Sequence, residues 1–304
     1  MATYNSAFAD LSIHEVVENS APIVDYLRNS MQGVFLEEAV LRNAGTTTSP
    51  VIEYNDDAPG FLADNAEVVA EFAQIPTSDL ITGETKIAKA RKIAEGIRIS
   101  REMIKSNSVE KLNAQVIALQ NNIIKASAQQ FISALDNADT NSIAASTPWT
   151  EQGSTPIRDI FSGKALISGA NVNGNKYGYS AKALIISQAG LDSLLVSEDV
   201  QRFYVGNAAL QNPIYSGTQP ANLNGMAIHV SSFIDDGTAY IIDTDRAGFY
   251  KDFEPFTVTD LYAEYGENGF GGSNQSFRID AFRSRIVVVN APKAITKITG
   301  ISEG

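Results

Sequence analysis

The apolar positions of this chain change their spacing several times along its length, and each change marks a different kind of element. After Val109, the residues Leu112, Val116, Leu119 and Ile123 recur at intervals of three and four, and Ile124, Ala128, Phe131 and Leu135 take over as the stripe drifts. That period belongs to one face of an α-helix. Asn107, with Glu110 three residues on, has the form of a capping box and marks the start, and Asp136-Asn137-Ala138-Asp139 marks the end. The predicted helix has roughly 28 residues and a length of about 42 Å.

Upstream the patterns are weaker. Ile13, Val16, Val17, Ile23, Val24 and Leu27 fit a helical stripe loosely, with Pro22 interrupting it. Val34, Phe35, Ala39 and Val40 form a second short pattern ending at Asn43-Ala44-Gly45, a helix stop. Residues 1–49 therefore read as an arm of modest helical character, or as an ordinary helical hairpin opening a domain. Residues 51–54 read as a strand and Asp56-Asp57-Ala58-Pro59-Gly60 as a turn, while 68–72 read as a strand or one helical turn. In 85–99, Ile87, Ile93, Ile97 and Ile99 share an alternating face with Lys89, Arg91 and Glu95. Such a broken alternation suits a long ribbon that leaves the core and returns, although local propensity also allows a helix. Residues 99–104 read as a short turn before the long helix.

Downstream, 140–180 is rich in Ser, Thr, Asn and Gly around a helical TPIRDIFSGKALI. Residues 183–187 read as a buried strand, and a helix starts at Gly190. Short strands follow at 226–231, 239–242 and 249–250, separated by the turns Asp235-Asp236-Gly237 and Asp245-Arg246-Ala247-Gly248. The end is strand-rich, at 258–265, 276–282 and 286–290. The sequence has no internal repeat.

Composition narrows the picture. Hydrophobic residues make up 44% of the 304, enough for a packed core. Charged residues make up 19%, which suits a surface that is buried against neighbours. A net charge of −12, from 35 acids and 23 bases, argues against gripping nucleic acid with the whole surface, which requires excess Lys and Arg. It is compatible with enclosing DNA. With no cysteine, disulfides, thiolate metal sites and thiol nucleophiles are ruled out. The sequence shows neither a signal peptide nor the ~18–20 apolar residues of a membrane span, so the expected place of synthesis is the cytoplasm of the producing cell.

Charge is segregated next to the long helix. Glu53, Asp56, Asp57, Asp64, Glu67, Glu71, Asp79 and Glu84 fall in a stretch without Lys or Arg, and Lys86, Lys89, Arg91, Lys92, Arg98, Arg101 and Lys105 follow at once. One reading is two solvated faces. The other is an acidic outgoing limb mated to basic returning limbs, within the ribbon and across subunits. On that reading Asp56, Asp57, Glu67, Lys89, Arg91 and Lys92 are the candidate contacts.

No catalytic, cofactor or metal site is expected. The two histidines, His14 and His229, have no Gly-x-Ser-x-Gly elbow for company. The glycine-containing run from Gly169 to Tyr177 fails as a phosphate loop, because Asn175 precedes Lys176 and no Ser or Thr follows. Residues 266–272 are glycine-rich but lie between expected strands. Asp243, Asp245, Gly248 and Glu254 have the spacing of a calcium loop, but Ala247 stands where a side-chain oxygen is needed and flanking helices are missing.

The order of elements (arm, long ribbon, kink, long helix, α/β middle, strand-rich end) resembles the capsid fold first seen in phage Hong Kong 97 and shared with encapsulins. Three strings carry the resemblance. KIAEGIRISREMI is similar to the family's basic strand and the helix start after it. LNGMAIHVSSFIDDGTAYIIDTDRAGFY is similar to its middle-domain strands with an Asp-Gly turn. FRIDAFRSRIVVVNAPKAITKIT is similar to its closing strands. Together they cover about residues 50–300.

The resemblance implies an α+β subunit in five parts: an N-terminal arm at 1–49, an extended β loop at 50–99, a peripheral domain with the spine helix at 100–150, an α/β axial domain at 151–245, and closing peripheral strands at 246–304. It implies a tailed-phage major capsid protein whose pentamers and hexamers close an icosahedral shell, each extended loop lying over a neighbour. Its implied partners are further copies of itself, a portal, a separate scaffold protein and, in some shells, a decoration protein. Double-stranded DNA would be enclosed without sequence-specific binding, and no membrane is involved. The alternative within the fold is an encapsulin-type compartment. Some family members cross-link a loop lysine to a neighbour's asparagine. Here 51–85 holds no lysine, so that chemistry transfers to no residue.

Overall fold

In the computed structural model, which describes residues 12–58, 60–172, 174–202, 220, 222–264 and 275–302, the drifting apolar stripe is one uninterrupted helix that joins two cores. The first elements are α1 (Ile13–Glu18), α2 (Ala21–Ser30), α3 (Leu36–Val40) and β1 (Arg42–Thr46). The ribbon strands β2 (Val51–Asn55), β3 (Thr85–Lys89) and β4 (Arg91–Ser100) follow, then α4 (Arg101–Lys105) and the long α5 (Val109–Asp136). The middle holds β5 (Asn141–Ala144), α6 (Pro156–Gly169), β6 (Asn171–Val172), β7 (Asn175–Lys176), β8 (Ala183–Ile186), α7 (Gln188–Val196) and α8 (Glu198–Gln201). The last strands are β9 (Asn222–Leu223), β10 (Met226–Val230), β11 (Thr238–Ile242), β12 (Phe249–Val258), β13 (Tyr262–Ala263), β14 (Ser276–Val288) and β15 (Ile295–Thr299).

Two sheets organise the cores. The six-stranded sheet runs β5-β15-β11-β8-β10-β9, with every residue of β8 buried because both faces are covered. The other sheet is built on β14, which pairs antiparallel with β4 along one edge and with β12 and β13 along the other, while β1 adds parallel to β12. Leu112, Val116, Leu119 and Ile123 of α5 pack with α1, α2, Ile97, Ile99 and Ile279. About two turns further along, Phe131 and Leu135 enter the other core with Leu184, Tyr240 and Ile295. The drift of the stripe is the helix turning from one core to the next. Each fully buried Leu, Ile or Phe contributes about 1.5–3 kcal/mol, so the helix is held mainly by these contacts.

Several expectations are corrected. Pro22 opens α2 in its first turn, where a missing N–H costs nothing, and does not interrupt a helix. Asn43-Ala44-Gly45 is part of strand β1; α3 has already ended at Val40. Within 13–40 the helices α1 and α2 pack into the core shared with the first half of α5. Asn107 does not cap α5. It adopts φ 46°, which asparagine tolerates, and its Oδ1 accepts the Ile13 N–H at 2.8 Å, tying α1 to the helix start. The real capping box is Ser12 with Glu15 on α1. Residues 68–72 are neither strand nor helix, since no core lies beneath them. The expected strands at 276–282 and 286–290 are one continuous strand, β14. Tyr265 and the glycine-rich run 266–272 lie outside the described residues.

Candidate assembly surface

The ribbon begins as a regular ladder. β2 and β3 pair antiparallel from Val51↔Lys89 to Asn55↔Thr85, and the Asp56 N–H donates to the Glu84 carbonyl at 2.9 Å. At this point the limbs touch: a Cβ on Gly83 would lie 1.9 Å from the Asp56 carbonyl oxygen, so only glycine fits. Further out the pairing thins to one bridge between Leu62 and Leu80 and the Ala63–Asp79 backbone bond. Beyond that the chain is irregular.

The root is fixed to the rest of the subunit. The Asp57 N–H donates to the Asn290 carbonyl at 2.7 Å. Tyr179 Oη donates to the Asp57 carboxylate at 2.9 Å, and Arg246 stands 3.9 Å from the same carboxylate. Burial, then the bond to Asp57, pushes the Tyr179 phenol far above its ordinary range, so it stays a donor. Tyr177 stacks on Tyr179 at 4.9 Å, and Tyr54 meets Phe249 edge-on at 6.4 Å.

The tip is the opposite. Val68, Phe72 and Ile75 are 104%, 98% and 77% exposed, and Phe61, Leu62 and Leu80 are about half exposed or more. Scattered apolar residues on a surface are ordinary, but a contiguous set on one loop marks a contact surface.

The six candidate contact residues divide into two groups. Asp56 pairs with Lys86 at 2.6 Å, Asp57 is used at the root, and Lys92 pairs with Glu254 at 3.4 Å and lies over the Phe282 ring. Those three have partners in their own chain. Glu67, Lys89 and Arg91 make no ion pair among the described residues. Among the described residues the ion pairs between the acidic and basic limbs are therefore those of Lys86, which reaches Asp56 and, at 3.9 Å, Glu84.

The sequence reading missed a buried charge cluster where the arm, the spine helix and β14 meet. Glu37 and Arg283 are 0% and 1% exposed, and Arg285 is 4% exposed. Arg283 donates to Glu37 and to Ser127, and its guanidinium lies 3.8 Å from the centre of the Phe35 ring. Arg285 reaches Glu37 at 3.1 Å, Glu38 at 2.7 Å and Asp252 at 2.5 Å. Burial pushes the Glu37 carboxyl up, but the charge of Arg283 and its hydrogen bond outweigh that, leaving the pKa below its ordinary value. The signal was the string Arg283-Ser284-Arg285 between strand-like runs, since a strand interrupted by two arginines needs acids facing it.

The other residues considered for chemistry are scattered. His14 pairs with Glu18 on an exposed face, and His229 is half buried on β10, where burial pushes its pKa down. Asp243 accepts the Ser180 and Asp245 N–H groups, Asp245 pairs with Lys182, and Glu254 pairs with Lys92, so these acids do not converge. Among the described residues no group of three or more His, Cys, Asp or Glu side chains could hold a metal ion, and no helix is long and apolar enough to cross a membrane.

A ladder with a fixed root and bare tip, a two-core helix and two mixed sheets define the α+β fold of Hong Kong 97-like capsid subunits. A virus-like particle from Pyrococcus furiosus superposes with a TM-score of 0.57 over 91% of this chain and 98% of that one, at 9% identity. A structure from Mycobacterium phage Che8 does so with a TM-score of 0.57 over 93% and 91%, at 15% identity. The capsid of an empty GTA particle does so with a TM-score of 0.55 over 88% and 90%, at 11% identity. No curated protein matches the sequence. Residues 83–298 match the phage capsid protein family, and the chain belongs to that family.

Proposed function

We propose that this chain is a major capsid protein whose copies assemble as pentamers and hexamers into an icosahedral shell around double-stranded phage DNA. The carrying observation is the ribbon: its root is fixed by Asp57, Tyr179 and Asn290, while Val68, Phe72 and Ile75 at the tip stand in solvent. A loop of this size has too little core to be stable by its own contacts, so a neighbouring subunit covers it. In that shell a portal and a separate scaffold protein are the expected partners, and the interior holds DNA without reading its sequence.

The test is assembly of the purified chain, followed by sedimentation and electron microscopy. Rings or closed particles are expected. A chain that stays monomeric at high concentration under all solution conditions overturns the proposal. A second reading is a cargo-enclosing compartment of the same fold, since the superposed structures include a virus-like particle from Pyrococcus furiosus. The contents of particles purified from the native source separate the two: packaged genomic DNA supports the virion, and an enclosed enzyme the compartment.

A further inference from the structure

Beside the ribbon root lies a cleft of about 240 Å³ between β3, the end of β14 and the last turns of α5. Lys89 and Arg91 stand on one side, Gln130, Ser133 and Asn137 on the other, and Val287 helps line it. Neither cation makes an ion pair among the described residues. Gln130 donates its amide to the Arg285 carbonyl at 3.2 Å, but its Oε1 is buried with no donor facing it. The cleft therefore offers two positive charges and an apolar wall.

The ribbon tip has the complementary features. Glu67 and Glu71 alternate with the exposed Val68, Val69 and Phe72, and the stretch 51–85 holds no base. Among the described residues the tip makes no ladder beyond residues 62 and 80. Its own cleft is out of reach: the limb from Asp79 to Lys89 separates them by roughly 30 Å when extended, and the pairing of β2 with β3 holds that limb out.

We propose that this cleft receives residues 67–72 of a second copy of the chain, with Glu67 and Glu71 meeting Lys89 and Arg91 and Val68 or Phe72 lying on its apolar wall. The assignment rests on the shell reading above and names where its loop lands. It also explains why the basic run follows the acidic one so closely in sequence: the limb that carries the tip out returns through the receptor for the next tip.

The absence of cysteine makes the contact testable by disulfide trapping. A variant carrying Glu71→Cys and Ser133→Cys is assembled and oxidised, then run on a denaturing gel. The expected result is a ladder of covalent multimers, absent from either single-cysteine variant. Charge reversal supplies the independent arm. Lys89→Glu with Arg91→Glu, or Glu67→Lys with Glu71→Lys, is expected to lose particles while keeping the circular dichroism of the folded subunit, and the four changes together restore them. Normal particles without a ladder, or normal particles from either reversed pair, overturn this contact and leave the shell standing. A wild-type chain that never assembles overturns both.

Discussion

Replacing Glu37 with alanine removes the carboxylate to which the Arg283 guanidinium donates. Arg285 keeps Glu38 at 2.7 Å and Asp252 at 2.5 Å, so most of the damage falls on Arg283. That side chain is 1% exposed, and among the described residues its Nε and Nη1 already lack hydrogen-bond partners and, without Glu37, Ser127 and the Phe35 ring are the contacts that remain. Breaking a buried pair from one side costs about 3–5 kcal/mol, because the surviving charge is left desolvated. For a chain of this size that corresponds to a drop in Tm on the order of 10 °C. The measurement is thermal unfolding of the unassembled subunit at low concentration, since assembly would raise the apparent stability by mass action. The control replaces both partners, Glu37→Leu with Arg283→Met. Two apolar residues of similar size recover most of the loss, as other buried pairs do when removed whole. A drop of less than about 1 kcal/mol in the single variant refutes the reasoning, because a surface ion pair is worth that much.

The same group sets a pH dependence. The folded-state pKa of Glu37 is lowered from 4.5, so its contribution is complete above that value and is lost as pH falls through the folded pKa. Stability of the wild-type subunit should fall more steeply below about pH 4.5 than that of Glu37→Gln. Parallel acid-unfolding curves for the two would count against a charged Glu37.

Phe72→Ser should leave subunit stability within about 0.5 kcal/mol, as for an exposed residue, yet abolish particles in sedimentation; unchanged particle yield would show that the tip is not covered. Gly83→Ala should force the Asp56 carbonyl away and lose assembly with both cores intact, as read by circular dichroism and light scattering. Tyr179→Phe, which removes a hydrogen bond to a carboxylate worth about 1.5–3 kcal/mol, should speed proteolytic cleavage within 56–84 and leave the rest of the chain resistant. Wild-type particles boiled in detergent should run as single chains, because the protein has no cysteine and 51–85 has no lysine; mass spectrometry of any ladder would identify the linked residues.

Local periodicity carried the parts of the fold that a single element determines. The stripe from Leu112 to Leu135, the apolar run at 183–186 and the helix within 156–169 were all legible, because each buries a regular set of side chains. Contacts between distant elements were not. Asp57 meets Tyr179 across 122 positions and Arg283 meets Glu37 across 246, and no local pattern announces either. Charge was taken as a sign of exposure, which is right on average but split β14 at Arg283 and Arg285. Of the two readings of the ribbon charges, the one that paired its limbs holds within the subunit at Asp56 and Lys86, while Asp57 and Lys92 have other partners. Apolar content misled in the opposite direction at 68–72, where Val68, Val69 and Phe72 face no core within the subunit.

A fixed root and a bare tip do different energetic work. If Val68, Phe72 and Ile75 are buried by a neighbour, each contributes about 1.5–3 kcal/mol, on the order of 5–10 kcal/mol in all. Bringing two proteins together costs an estimated 4–15 kcal/mol or more in lost freedom, so one tip in one cleft roughly breaks even and two subunits alone should not remain paired. In the proposed ring every subunit would both give a tip and receive one, and the last subunit would gain two contacts while losing its freedom only once. The rigid root lowers the remaining cost, since Tyr179, Arg246 and Asn290 have already ordered the limb that would otherwise have to be ordered on binding. Loosening the root and stripping the tip should therefore fail differently. Tyr179→Phe should raise the concentration at which particles appear, because it adds an ordering cost to every contact. Replacing Val68, Phe72 and Ile75 together with Ser should abolish particles at any concentration, because it removes the apolar contact itself. If both variants merely shift that concentration by the same amount, the root has no part in presenting the tip.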